Sequence, residues 1–339
     1  MKTLRISYVI VPVVIGLSVV AWMFSRDFNP ELFKGIRLSG RLVGGLLLGF
    51  VCMFGHDLSL ITRFRLLSDK ALSWRQAFTV DMLGQFTSAV APTVVGGSSL
   101  VILFLHKEGL DTGRSTALMI ICLFLDELFF SVACALAFLL FPFHELFGEA
   151  GVVSASIKVL FFIIYTVIVV WTLLLYIALF HHPEWVKKIF QTVFRLPFLR
   201  RWSKAVEQLG DNLIMSSKEI SGKPFLFWLK IFGLTCVAWA SRYLVVNALF
   251  FAFSTSGSQL LAFARQLILW IVTIISPTPG GSGVSEYMFK VYYADYFTVP
   301  GMALVVAFVW RIITYYIYLV IGVIIIPGWL KKWNKTRMV

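Results

Sequence analysis

The feature that most constrains this chain is the recurrence of apolar runs as long as a bilayer is thick. A helix needs about 20 apolar residues to cross about 30 Å of hydrocarbon, and residues 7 to 24, 41 to 62, 116 to 141, 152 to 180, 225 to 253 and 299 to 326 each form such a run. The whole chain is 59% apolar and 14% charged, with a mean hydropathy of +0.86, whereas soluble domains carry about 25% charged residues. A water-soluble enzyme, a disordered tail and a nucleic-acid module are thereby excluded. The reading is an all-α polytopic membrane protein, one integral domain over residues 1–339 with six full spans. The first run follows Lys2 and Arg5 but lacks a small-x-small cleavage pattern, so it reads as a retained signal anchor.

Two further apolar regions, 74 to 105 and 259 to 295, are broken midway at PTVVGGSS (Pro92 to Ser99) and PTPGGSG (Pro277 to Gly283). Charge counting decides how often each crosses. If both enter and leave on one side, the N-terminal tail and segments 63–78, 106–115, 181–224 and the C-terminal tail share a side and carry 2, 4, 2, 8 and 4 Lys or Arg. The opposite side has four, from Arg26 to Arg41. A single crossing at 74–105 would instead put the eight-cation loop outside and the Glu145 and Glu149 loop inside, against the positive-inside bias. The net charge of +13 thus reports topology, with both termini cytoplasmic in a bacterial inner membrane. Each broken region is expected to be a re-entrant helical hairpin. Whether its turn stops at the midplane or reaches the far surface is open, since a first arm of about 18 residues reaches about 27 Å.

The broken regions share a pattern of PT, a short spacer, GG, Ser and an apolar helix, and they enter from opposite sides. That is the signature of an inverted repeat, whose broken helices build a substrate site near the membrane centre. Chance similarity is the alternative, because it covers about seven positions and Pro and Gly are common in membrane helices. Gly96, Gly97, Gly280 and Gly281 permit positive φ and close approach. Helices expected to start at Ser98 and Ser282 would then offer unpaired N–H groups to an anion such as a phosphate. The two serines could equally be N-caps that satisfy those groups.

Charges deep in a span cost about 2.5–3.5 kcal/mol each on insertion scales, so they face a partner or a wet cavity. Asp126, Glu127, Arg242, Arg311 and Glu286 stand at such depth. They are read either as one mutually neutralising polar site or as structural ion pairs between helices. Lys290, four residues after Glu286, offers a local helix contact. His56 and Asp57 read as a proton-handling pair or as interfacial snorkelling. In the loop 181–224, Trp185, Ile189 and Phe194 alternate with Lys187, Lys188 and Arg195, which suits an amphipathic segment on an anionic leaflet; a solvated basic loop is the alternative.

Several chemistries have no motif. There is no GxxxxGK followed by Ser or Thr, no HExxH and no GxSxG, the adjacent His181 and His182 lack metal-pair spacing, and Cys52, Cys122, Cys134 and Cys236 lie in apolar runs without a CxxC. No cofactor, metal or enzymatic activity is expected.

The stretch QFTSAVAPTVVGGSSLVILFLHKEG (Gln85 to Gly109), RFRLL (Arg63 to Leu67) and PTPGGSGVSEYMF (Pro277 to Phe289) resemble the flippase-like transmembrane domain of lysylphosphatidylglycerol synthases and its stand-alone relatives. The resemblance spans nearly the whole chain. It implies an integral membrane domain associated with moving a modified or glycosylated phospholipid between leaflets. With no aminoacyl-transferase half after the last span, it implies translocation rather than lipid aminoacylation. Ser98 and Ser99 stand where many relatives carry a charged or amide residue, so headgroup preference does not transfer.

The expected function is movement of a phospholipid or lipid-linked headgroup. Arg242 and Arg311 would hold the phosphate, the glycine turns (Gly96, Gly97, Ser98; Gly280, Gly281, Ser282) would donate hydrogen bonds, and Asp126, Glu127 or Glu286 would bind a cationic group or a proton. The expected partners are that lipid, an anionic membrane surface at 181–224, and a second copy or a lipid-modifying enzyme; nucleic acid is not among them. A scaffold subunit for a lipid-modifying or glycosyl-transferring enzyme and a small-solute secondary transporter are the alternatives.

Overall fold

A computed structural model describes residues 38–91, 94–147, 155–195, 203–220, 222–253, 255–274, 276, 278–299 and 301–336. Among these residues there are helices and turns and no strand. In chain order the helices are α1 (Gly40–Leu67), α2 (Trp74–Val90), α3 (Val94–Lys107), α4 (Thr112–Leu140), α5 (Phe143–Phe147), α6 (Ala155–Phe180), α7 (Pro183–Val193), α8 (Ser203–Ile220), α9 (Phe225–Ala252), α10 (Gln259–Thr273), α11 (Val284–Tyr292), α12 (Met302–Arg311) and α13 (Ile317–Thr336). A π-helical turn, Ile312–Tyr316, joins α12 to α13 into one long rod.

Five of these are long and apolar enough to cross a membrane: α1, α4, α6, α9 and the rod Met302–Trp329. They coincide with five of the six expected spans; the sixth, residues 7 to 24, lies outside the described residues. Their outward faces carry apolar stripes of helical period. Leu47, Val51, Phe54 and Leu58 on α1, and Val159, Ile163, Val167 and Val170 on α6, recur every three or four residues and are all exposed. Large apolar stripes of that kind are stable only against lipid or a partner.

The opposite face of α1 packs on α9 at backbone distance. A Cβ placed on Gly45 would lie 2.5 Å from Ala252 Cβ and 2.7 Å from the Ala248 carbonyl oxygen. Small residues at four-residue spacing on both helices allow this approach, which membrane helices use in place of a hydrophobic driving force.

Both broken regions double back on themselves. In the first, Ser73 and Gln76 form a capping box at the start of α2, and Gln76 Nε2 donates to the Glu108 carbonyl just after α3, 2.7 Å away. In the second, Ser258 caps α10, and Tyr296 Oη and Tyr293 Oη donate to the carbonyls of Ser258 and Ala262, each at 2.8 Å. Start and end therefore meet in each region.

Two expectations are corrected. α3 begins at Val94 and not at Ser98, so Gly96 and Gly97 lie in its first helical turn. The second helix begins at Val284 with Gly283 as N-cap, and Ser282 precedes it. Within the loop 181–224, α7 and α8 are joined by a Lys187–Asp211 ion pair of 2.6 Å, and Met215 of α8 packs over Gly113 at the start of α4.

Candidate functional site

The intramembrane charges separate into three centres. The first forms at the second glycine turn. Gly280, Gly281 and Gly283 have φ of 55°, 70° and 84°, a region that favours glycine. The turn they make carries its carbonyl and hydroxyl groups to Arg311. Arg311 Nε donates to Glu286 Oε1 at 3.0 Å, and Nη2 donates to the Gly280 carbonyl at 2.8 Å and to Ser282 Oγ at 3.3 Å. Glu286 Oε2 accepts the Gly283 N–H at 2.7 Å. The guanidinium also stacks 3.8 Å from the Tyr315 ring centroid. Arg311 and Glu286 are both buried, so this centre is a closed ion pair that locks the turn to the rod. Glu286 engages Arg311 and Gly283 here.

Tyr315 also links the two broken regions. Its hydroxyl donates to the Ala89 carbonyl, 3.0 Å away at the end of α2, and a Cβ on Gly280 would collide with its ring. The end of α2 and the second glycine turn therefore meet at one tyrosine.

The second centre joins α1, α4 and α9. Arg63 Nη1 and Nη2 donate to the two Asp126 oxygens, the latter at 3.2 Å, and Trp239 Nε1 donates to Asp126 Oδ1 at 2.8 Å. Thr235 Oγ1 accepts a further bond from Arg63 at 3.1 Å. Arg63 was counted with the cytoplasmic loop, but it lies inside α1 and is only 3% exposed; the topology argument does not depend on it. Glu127, the next residue on α4, points elsewhere, as the helical 100° step requires. Its buried Oε2 has no hydrogen-bond partner among the described residues.

The third centre is a ring around Arg242. Its Nη2 donates to the Thr314 carbonyl in the π-helical turn at 3.2 Å, and its Nη1 lies 3.5 Å from His56 Nε2. His56 is buried in mid-helix, which rules out interfacial snorkelling. Its Nδ1 faces the Ala238 carbonyl at 2.9 Å. A carbonyl only accepts, so Nδ1 carries the proton, and in the neutral ring Nε2 is the acceptor facing Arg242 and Gln85 Nε2, the latter at 3.1 Å. One turn before Gln85, Asp81 is 3% exposed, and its Oδ2 has no hydrogen-bond partner among the described residues. Tyr318, one turn beyond Thr314, donates its hydroxyl to Asp57 Oδ1 at 2.7 Å. Asp57 and Asp81 both interact electrostatically with Arg242.

The arginines thus differ in occupancy. Arg63, Arg265 and Arg311 each bond a carboxylate, those of Asp126, Asp295 and Glu286. Arg242 has no carboxylate within 4.0 Å among the described residues, and it is partly accessible where the others are buried. An open pocket of about 470 Å³ lined by Phe143, His144, Phe147, Lys158 and Phe162, and another of about 320 Å³ beside Lys290 and Gly301, include no residue of these centres.

A family model for the lysylphosphatidylglycerol synthase TM region matches residues 9–322. The chain belongs to that family. A UPF0104 membrane protein of Archaeoglobus fulgidus is similar to it, 23% identical over 325 residues that cover 92% of this chain and 94% of the relative. No solved structure matches.

Within this family member, the structure brings together Arg311, Glu286, Gly280 and Ser282, and separately Asp126 with the unforeseen Arg63. Arg242 contacts neither group directly but adjoins both, since it acts on Asp81 together with Arg63 and bonds the Thr314 carbonyl next to Tyr315, the ring on which Arg311 stacks. Arg63 was hidden by RFRLL, which looks like the cationic flank of a span. Asp81 was hidden by its polar neighbours Arg75, Gln76 and Gln85, although a carboxylate seven residues into an apolar arm was itself a signal.

Proposed function

We propose that this chain moves a lipid with an anionic, phosphate-bearing headgroup between the leaflets of the cytoplasmic membrane, and that Arg242 is the cation that receives the headgroup. The observation that carries this reading is the occupancy of the arginines. Three are saturated by carboxylates, while Arg242 is left with a carbonyl, an imidazole edge and partial access. A guanidinium has five donors in a planar fork that suits phosphate, and Arg242 spends few of them inside the protein. Membership in the family supports a lipid-related role. The neighbouring groups fit a headgroup that changes hands: His56 and Gln85 present polar edges, and the π-helical turn, a geometry common at functional sites, brings the Thr314 carbonyl to Arg242.

In this reading Arg311, Glu286, Gly280, Gly281 and Ser282 form the fixed wall of the groove. The first turn of α3 offers backbone N–H groups, that of Gly96 among them, that a helix cannot pair internally, while Gly97 and Ser98 follow within the helix. Glu127 is the acid available to a cationic group of the headgroup. The two hairpins are related as an inverted repeat, and α7 and α8 rest on an anionic cytoplasmic surface. The lipid tails stay in the bilayer and no covalent chemistry is performed.

The test is the accessibility over time of fluorescent phosphatidylglycerol to an external quencher, in phosphatidylcholine liposomes with and without the purified protein. Protein-dependent loss of the protected pool supports translocation. Equal protected pools in protein-containing and empty liposomes contradict it and favour a scaffold role. Inhibition by soluble glycerol phosphate at the level expected of a substrate would instead identify a small-solute transporter.

A further inference from the structure

The ring around Arg242 contains more acid than it has base. Asp57 and Asp81 lie within electrostatic reach of each other and of Arg242. The other cation that acts on Asp81, Arg63, is held by Asp126. His56 is bonded as a neutral ring. The remaining ionisable groups around Asp81 are Cys122 on α4 and Tyr318 on α13. α3 contributes only His106 and Lys107, in its last turn, and the turn Pro279–Gly281 contributes none. Two carboxyl groups therefore share one guanidinium in a site where Asp81 Oδ2 is buried without a hydrogen-bond partner among the described residues.

A net charge buried in a low-dielectric site is expensive, and titratable groups there take or release protons to avoid it. Two carboxylates and Arg242 would leave one negative charge, which one proton cancels. When a headgroup phosphate occupies Arg242, one further negative charge enters, and one further proton restores neutrality. We infer that the Asp57–Asp81 pair is the proton site of this protein, holding one proton in the lipid-free state and taking up a second when an anionic headgroup binds Arg242. The proton comes from solvent and is bound to a carboxylate oxygen, with no other bond made or broken. This inference rests on the proposed role of Arg242. It adds the coupling ion, which makes headgroup binding and proton binding reciprocal.

The experiment uses the full chain in phosphatidylcholine nanodiscs, with soluble short-chain phosphatidylglycerol as the probe. Binding and proton uptake are measured together in weak buffer with a pH indicator, and the carboxylic-acid infrared band is recorded before and after saturation. Wild type is expected to take up about one proton per bound probe, to show growth of that band, and to lose affinity about tenfold for each pH unit of rise while the second proton is being lost. In Asp57→Asn/Asp81→Asn the affinity should be independent of pH and the band growth absent.

Binding without proton uptake in wild type overturns this inference and leaves the role of Arg242 standing. Sodium dependence in place of proton uptake does the same. Failure of wild type to bind the probe, or undiminished binding by Arg242→Gln, overturns the role of Arg242 and the proton coupling with it. Because the first outcome is read on wild type alone, poor folding of the double variant does not shield the proposal.

Discussion

The hairpin α10–α11 is tied by buried charge, whereas α2–α3 is held largely by apolar packing. In the second region Arg265 donates to the Tyr292 carbonyl and to Asp295 at 2.7 Å and to the Glu145 carbonyl at 2.8 Å, closing the open end. Arg311 and Glu286 close the turn. In the first region Val80, Leu83, Val101, Phe104 and Leu105 share one apolar cluster, and Gln76 ties the open end. Two segments with the same PT and GG pattern thus have different mechanics. The same contrast separates their glycines: Gly280 and Gly281 are in positive-φ turns, while Gly96 and Gly97 lie in helix.

The largest difference should come from breaking the buried pair. Arg311→Gln leaves the Glu286 carboxylate without its cation, and losses of this kind run to about 3–5 kcal/mol. The yield of monodisperse protein and its thermal midpoint should fall sharply, and Arg311→Gln/Glu286→Gln should recover much of both. A stable single variant would show that the second hairpin is not locked by charge.

The glycines should differ next. Gly280→Ala places a side chain at a φ of 55° and into the Tyr315 ring, and backbone strain alone there is worth about 1–3 kcal/mol. Gly97→Ala replaces glycine within a helical turn, where alanine is favoured by up to about 1 kcal/mol. Thermal midpoints that fall equally in both variants would contradict the asymmetry of the two turns.

The smallest effect belongs to the open end of the first hairpin. Gln76→Ala removes one side-chain bond across the hairpin and half of a capping box, each worth about 0.5–1.5 kcal/mol. Hydrogen exchange at the start of α2 should rise while the rest of the protein is unchanged. Exchange that rises equally in α10 and α11 would mean that the two hairpins unfold as one unit.

Much of the architecture was legible because lipid imposes a long, simple code. The spans at 41–62, 116–141, 152–180, 225–253 and 299–326 lie within a few residues of α1, α4, α6, α9 and the rod, since about 20 apolar residues have few other solutions. The breaks were legible because Pro and Gly interrupt helices for local reasons. The helix start at Val94 was not, because Gly96 and Gly97 read as turn residues when only local propensity is weighed. The site was legible as a set of deep charges but not as a set of pairs. Arg63 and Asp126 are 63 residues apart, and Arg242 meets Thr314 across 72. Helical period tells which face a charge occupies, but not which helix that face meets.

The central claim, that Arg242 receives the headgroup while Arg311 holds the fold, is tested most directly by one side-by-side measurement. Arg242→Gln and Arg311→Gln/Glu286→Gln are reconstituted at equal amounts of folded protein, and the rate of fluorescent phosphatidylglycerol movement is compared with wild type. Loss of charge-assisted bonds worth about 1.5–3 kcal/mol should slow Arg242→Gln by about tenfold to a hundredfold, with its thermal midpoint close to that of wild type, while the doubly neutral variant keeps most of the activity. The opposite pattern, with Arg242→Gln as fast as wild type and the Arg311/Glu286 variant folded but inactive, would contradict the claim.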